Sequence, residues 1–407
     1  MTKKARRKAP QLRFSEFNGD WKTDRSDHFL IRYVNPVEVQ LDTQYEQIGI
    51  RSHGKGIFHK EPVTGRELGN KRVYWVHPEA FTVNIVFAWE QAVALTSNAE
   101  KGFIASHRFL MFLPKENRVD LKFILLFFLR KRGKSLLELA SPGGAGRNKT
   151  LGQDNFAELQ LTLPNKEEQE KIASFLGAVD TRLTQLRRKH KLLQTYKRGV
   201  MQKIFSQQIR FKCDRGKPFP DWEMNRIDNF LVRYNNPVDV QLDAEYSQIG
   251  IRSHGKGIFH KEPVTGRDLG NKRVYWVHPR SFVINIVFAW EQAVALTSNE
   301  EDGFIASHRF LMFLPKNNKV NLQFVLLFFL GNRGKSLLEL ASPGGAGRNK
   351  TLGQQNFSEL QVTFPTLKEQ EQIADFMTAI DQKIEAIAKQ IELTEQFKKG
   401  LLQKMFV

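Results

Sequence analysis

Several short patterns in this chain are of the kind that does chemistry, and most fail on their spacing. Gly-Lys-Ser occurs at Gly133–Ser135 and again at Gly334–Ser336, like the end of a nucleotide-phosphate loop. That loop also needs a glycine five residues before its second glycine, where Phe128 and Phe329 stand, so neither copy qualifies. Gly143–Gly146 precedes a polar stretch and does not follow a strand of a βαβ unit, which argues against a dinucleotide site. Asn236-Pro237-Val238 echoes the Asn-Pro-Pro-aromatic signature of adenine methylation, but lacks the second proline and the ring that stacks on a flipped base. No carboxylate cluster with a lysine stands out as a nuclease site. His53, His59, His77 and His107 recur later in the chain, yet there is no HExxH and only one cysteine, Cys213, so no metal is expected. These histidines read first as structural groups held by hydrogen bonds, with DNA contact the second reading for His53 and His59.

What survives is a set of basic, glycine-rich stretches. Ile50–Lys60 (IRSHGKGIFHK) gathers Arg51, Ser52, His53, Lys55, His59 and Lys60 around two glycines, with little apolar bulk. Glycines let a backbone approach another surface closely. Arg, Lys, Ser and His donate to phosphates and to base edges. Gly65–Arg72 adds Arg66, Lys71 and Arg72, and Ser141–Lys149 (SPGGAGRNK) adds Arg147, Asn148 and Lys149. The same types return as Arg252, Ser253, His254, Lys256, His260 and Lys261, and as Arg348, Asn349 and Lys350. Any one stretch could equally be a solvated loop. Their joint recurrence in a basic chain favours DNA contact, without saying which residue reads which base.

The whole chain fits that partner. Its 407 residues carry 62 Lys and Arg against 43 Asp and Glu, a formal charge of +19, as expected for binding a polyanion. A hydrophobic fraction of 41% allows ordinary cores. The lone cysteine excludes disulfides and cysteine-rich zinc sites and points to a cytoplasmic setting. The longest apolar runs, Phe123–Leu129 and Phe324–Leu330, are far short of the roughly 20 residues of a membrane span, so no membrane is expected. The basic start, MTKKARRKAP, has no apolar stretch after it and reads as a tail, not a signal peptide.

These stretches recur because the chain is duplicated. Gln47–Arg66 returns unchanged as Gln248–Arg267, 201 residues on, and the same offset links Trp21 to Trp222, Pro164 to Pro365 and Phe205 to Phe406. Only before the tryptophans does the register slip, by four residues. Within each copy, VYWV, FTVNIVFAW and GFIASHRFLMFLP read as strands and Asp120–Glu138 as a helix, an α+β domain. Each domain is followed by a proline-free segment whose seam steps alternately by four and three. The first seam runs Ile172, Leu176, Val179, Leu183, Leu186, His190, Leu193, Lys197, Val200, Ile204. The second runs Ile373, Met377, Ile380, Ile384, Ile387, Ile391, Thr394, Lys398, Leu401, Met405. That is a coiled-coil repeat. The expected plan is a tail (1–11), domain one (12–165), helix one (166–209), domain two (210–366) and helix two (367–407). Two near-identical globular domains would be joined by two long antiparallel helices with pseudo-two-fold symmetry, a rod of roughly 60 Å with a domain near each end.

This organisation resembles the specificity subunit of type I restriction–modification systems. Leu163–Asp180 and Phe364–Asp381 are similar to the family's junction, a Pro followed by Glu-Gln and Ile-Ala leading to an Asp. Thr195–Phe205 and Gln396–Phe406 resemble its helix endings, and Pro10–Trp21 and Ile209–Trp222 its entries into each target-recognition domain. The resemblance covers almost the whole chain. It implies a non-catalytic subunit that reads a bipartite site in double-stranded DNA. It further implies two modification subunits, which carry S-adenosylmethionine, and two restriction subunits, which use ATP and Mg; this chain would bind no cofactor itself. The helices would dock the modification subunits, with His190, Lys197 and Lys398 as partner contacts or as register devices. The family's two domains usually differ, whereas here they are nearly the same, which suggests a palindromic target. A related two-subunit restriction–methylation enzyme and a non-specific coiled-coil scaffold are the competing expectations.

Overall fold

The computed structural model describes residues 9–144, 149–213, 216–345 and 350–407. The chain packs as two units, Met1–Arg187 with Gln390–Val407, and Arg188–Lys389.

The first unit holds strands β1 (Lys22–Arg25), β2 (Leu30–Tyr33), β3 (Gln44–Ile50), β4 (Ile57–Thr64), β5 (Val73–Trp75), β6 (Phe81–Asn84), β7 (Val93–Leu95), β8 (Ile104–Ser106), β9 (Phe109–Pro114) and β10 (Gln160–Leu163). Its short helices are α1 (Gly65–Leu68), α2 (Leu121–Leu129), α3 (Lys131–Leu139) and α4 (Gln153–Ala157), and α5 (Lys166–Phe205) follows them. Strand β1 pairs antiparallel with β10, Lys22 opposite Leu163, so the entry and exit of the domain lie side by side. Between them are two four-stranded sheets, ordered β2-β9-β6-β7 and β4-β3-β8-β5. All pairings are antiparallel except β3 with β8.

Local chemistry sets the boundaries. Strand β6 is buried along its length and stops at Asn84, whose side-chain oxygen accepts from the Val86 amide and turns the chain. The run GFIASHRFLMFLP, expected as one strand, is two: the polar pair His107-Arg108 makes a corner between β8 and β9. The segment Asp120–Glu138 is likewise two helices. Asp120 caps α2 by accepting from the Phe123 amide, and extended backbone at Arg130 (ψ 165°) breaks the run before α3. Gly133 explains the Gly-Lys-Ser pattern in other terms. A Cβ there would lie 2.2 Å from the Phe127 carbonyl oxygen, so this glycine lets α3 fold tightly back on α2. One core fills the space between α2, the β6–β9 layer and the base of α5, around Trp21, Phe81, Phe123, Phe128, Leu161 and Leu176.

The second unit repeats this with β11 (Glu223–Arg226), β12 (Leu231–Tyr234), β13 (Glu245–Ile251), β14 (Ile258–Thr265), β15 (Val274–Trp276), β16 (Phe282–Asn285), β17 (Val294–Leu296), β18 (Ile305–Ser307), β19 (Phe310–Pro315) and β20 (Gln361–Phe364). Its helices are α6 (Gly266–Leu269), α7 (Leu322–Leu330), α8 (Asn332–Leu340), α9 (Gln354–Ser358) and α10 (Leu367–Lys404), and the sheet orders match.

Each unit is finished by the end of the other copy's long helix. In the first, Leu401, Met405 and Phe406 join the core, with Phe406 stacked on Phe123 at 5.0 Å and edge-on to Trp21 at 6.2 Å. In the second, Ile204 and Phe205 do so, Phe205 lying 5.5 Å from Phe324 and 6.4 Å from Trp222. The helices run antiparallel: within the first unit Lys398 meets Asp180 at 2.6 Å and Glu395 meets Arg187 at 2.6 Å. Within the second unit Lys197 meets Asp381 at 2.7 Å. Both seam lysines thus bond the aspartate that closes the other copy's junction motif, which fixes register as polar seam residues do.

The Glu-Gln of that motif has a packing role. Glu168 is buried and takes a two-pronged bond from Arg13 at 2.7 Å, and Glu369 one from Arg210 at 2.9 and 3.2 Å. Gln169 and Gln370 each donate to the preceding proline carbonyl at 2.9 Å and accept the amide that starts the cap of α2 or α7. The pair therefore locks each long helix onto its domain.

Candidate nucleic-acid interface

The loop between β3 and β4 carries the first candidates. Its sharp tip uses left-handed backbone at His53, Gly54 and Gly56 (φ 60°, 65° and 77°). The Arg51 guanidinium lies over the Phe58 ring at 4.6 Å and donates to the Ile57 carbonyl. The tip is tied to the turn after β6: Ser52 Oγ donates to Glu90 at 2.8 Å, and the His53 and Gly54 amides donate to the Glu90 and Gln91 carbonyls. Gly54 is also held close, since a Cβ there would meet Leu129 at 2.3 Å. Arg51, His53 and Lys55 remain exposed around this fixed backbone.

The same turn gathers the other basic loops. Lys149 lies over the Trp89 ring at 5.4 Å. The Ile85 amide donates to Arg108 O, and the His107 amide to Arg72 O, which joins the β8–β9 corner to the loop after α1. The second unit repeats each bond: Ser253 to Glu291 at 2.8 Å, His254 to the Glu291 carbonyl, Arg252 over Phe259 at 4.6 Å and Lys350 over Trp290 at 5.4 Å. Lys256 occupies the tip as Lys55 does. Arg147, Asn148, Arg348 and Asn349 lie outside the described residues.

His59 and Lys60, adjacent on β4, part company. His59 Nε2 lies 3.0 Å from Glu100, and its ring packs on Phe103 at 4.6 Å; His260 repeats this with Glu301 at 2.9 Å and Phe304. Burial opposes the charge on Glu100 and Glu301, but hydrogen bonds from the histidine and from Ser97 or Ser298 outweigh it and hold both carboxyls below their usual range. This geometry fits the structural reading of His59 and His260. Lys60 and Lys261 turn the other way, each 5.8 Å over a phenylalanine ring, Phe109 or Phe310. Arg66 and Arg267 are neutralised by Asp42 and Asp243 at 2.8 and 2.7 Å. At the β8–β9 corner the sequence reads His107 as a structural group and passes over Arg108, and likewise their copies His308 and Arg309; the signal is a polar pair interrupting an apolar run.

Among the described residues no group of three His, Cys, Asp or Glu is placed to hold a metal, and no helix is long and apolar enough to cross a membrane. Fold and loops together define a class: a duplicated α+β module with basic, exposed hairpin loops, mounted on paired helices. The profile of the type I restriction modification DNA specificity domain matches residues 67–194 and 283–395. The chain is 22% identical over 437 aligned positions to the type I restriction enzyme MjaVIII specificity subunit of Methanocaldococcus jannaschii, covering 96% of this chain and 94% of that one. It is 21% identical over 323 positions to the putative MjaX specificity subunit of the same organism, covering 76% and 73%. Among solved structures it shares the fold of the HsdS subunit from Thermoanaerobacter tengcongensis (TM-score 0.55, 14% identity, 95% and 96% covered). It also shares that of the type I restriction–modification S subunit from M. genitalium (TM-score 0.52, 15% identity, 98% and 99% covered). The chain belongs to the family of type I restriction modification DNA specificity subunits.

Proposed function

We propose that this subunit reads a bipartite double-stranded DNA target whose half-sites are the same on opposite strands, and that it scaffolds the subunits that act there. The observation that carries this is the identity of the candidate reading loops: Arg51–Lys60 and Arg252–Lys261 match residue for residue, on backbones held by the same bonds. Equal side chains on equal backbones read equal bases. A two-fold relation between the two copies would be matched by an inverted repeat in DNA. Two modification subunits carrying S-adenosylmethionine would dock on the helices, where Leu192, Tyr196, Leu393 and Phe397 are exposed large apolar side chains. Two restriction subunits using ATP and Mg would complete the nuclease, and this chain would bind no cofactor. Its role is address and scaffold.

The test is selection from a random-sequence DNA pool with the complex of this chain and its modification subunits. Enrichment of two short motifs at a fixed spacing is expected. A pool returned unchanged would mean a scaffold without sequence preference. Binding should also weaken by about three to five orders of magnitude from 50 to 200 mM salt for six to ten phosphate contacts.

A further inference from the structure

A cleft of about 410 Å³ opens in the second unit where the β18–β19 corner meets the loops after α6 and β16. Lys261, Lys272, His308 and Arg309 line it with Ser307 and Asn285, and no carboxylate is among its lining residues. Asn285 is buried, and its side-chain oxygen is used by the Val287 amide at 3.1 Å. Among the described residues neither Lys261 nor Arg309 has a carboxylate partner, unlike Arg226 and Arg267, which are paired with Asp228 and Asp243. The corner is fixed by its backbone: the His308 amide donates to Arg273 O at 3.1 Å and Arg309 O accepts from Ile286 at 2.9 Å. Every lining residue has an identical counterpart 201 positions earlier, among them Lys60, Lys71, Asn84, Ser106, His107 and Arg108.

Unpaired cations with hydroxyl and imidazole donors on a rigid rim suit an oxyanion, and in a duplicated DNA-binding chain the oxyanion at hand is the backbone phosphate. We propose that this cleft and its copy each clamp one DNA phosphate, Lys261 and Arg309 (Lys60 and Arg108) supplying the charge. The clefts then set the position of each half-site without reading it, while the hairpin tips read. This deepens the recognition reading above and rests on it for the identity of the ligand.

The experiment uses the complex with its modification subunits and the changes Lys60→Gln, Arg108→Gln, Lys261→Gln and Arg309→Gln together. Affinity is measured from 50 to 200 mM salt on the selected target and on a scrambled duplex. The slope of log K against log salt should fall by about 0.9 per phosphate lost, hence by roughly 2 for two clefts, and equally on both DNAs. The charge-keeping set Lys60→Arg, Arg108→Lys, Lys261→Arg and Arg309→Lys should keep the slope. An unchanged slope in the glutamine variant overturns the proposal. So does a loss confined to the target, which would make these residues base readers, or an equal loss in the charge-keeping set. A wild-type complex that binds both duplexes alike sinks the recognition reading instead, and the slope comparison still decides the clefts.

Discussion

The two units are identical at their hairpin tips and differ at scattered positions in their cores, helix junctions and outer loops. In the first unit the Arg130 guanidinium lies over Phe406 at 4.4 Å, with no partner for Nη1 among the described residues, and burial pushes its pKa down to about 10. In the second, Gly331 occupies the matching place and Phe205 packs on Trp222 and Phe324 without a cation. Thr82 in the core of the first unit is Val283 in the second. Meanwhile the hairpin tips and the cleft linings are identical. A core tolerates several fillings of similar volume. A surface that must meet a fixed pattern of donors and acceptors has fewer solutions, so the pattern of difference is what equal reading surfaces on separately packed bodies would leave.

The largest effect should come from the crossed helix ends. Phe406→Ala removes a buried ring and should cost about 3–5 kcal/mol in denaturant unfolding, and Phe205→Ala, which removes a half-buried one, should cost less. The loss should appear in the unit the ring enters: Phe406→Ala should raise amide exchange in β1 and β10, and Phe205→Ala in β11 and β20. Exchange rising in the opposite unit would break the crossed arrangement.

A smaller effect separates the two cores. The Thr82 hydroxyl is buried with no hydrogen-bond partner among the described residues, where the second unit has a valine. Thr82→Val should stabilise the first unit by about 1–2 kcal/mol, and Val283→Thr should destabilise the second by a similar amount. Equal, small changes of one sign in both would mean that the hydroxyl is satisfied.

The smallest effect should be the same in both units. Glu100 and Glu301 have folded pKa values below their unfolded ones, so each contributes stability that is present above about pH 4.3 and lost as pH falls through the folded pKa. Glu100→Gln and Glu301→Gln should each flatten the acid limb of the stability profile, by equal amounts. A flattening in one variant alone would show that the two His–Glu pairs are not equivalent.

Much of this was legible in the sequence because the signals were periodic or repeated. The duplication, the helix seam and the α+β content follow from spacing alone. Corners were not legible: His107-Arg108 and Arg130 interrupt apolar runs that read as single elements, because local propensity there yields to packing against β5, α2 and α3. Nor was the role of Glu168 and Gln169, two polar residues on a helix, because their burial depends on Arg13 and Asp120, which are distant in sequence. The hairpin candidates stood together as expected on one fixed loop, but the split between His59, turned to Glu100, and Lys60, turned to Phe109, needed the strand's alternation in three dimensions.

The central claim is that equal reading surfaces read equal half-sites. The most direct measurement is a genome-wide map of methylated adenines in a host expressing this chain with its modification subunits. An interrupted palindrome, with one methylated adenine on each strand and the same half-motif on both, is the expected result. Two unrelated half-motifs would contradict it, and would place base reading at residues that differ between the units, such as Glu79 and Arg280, instead of in the identical loops.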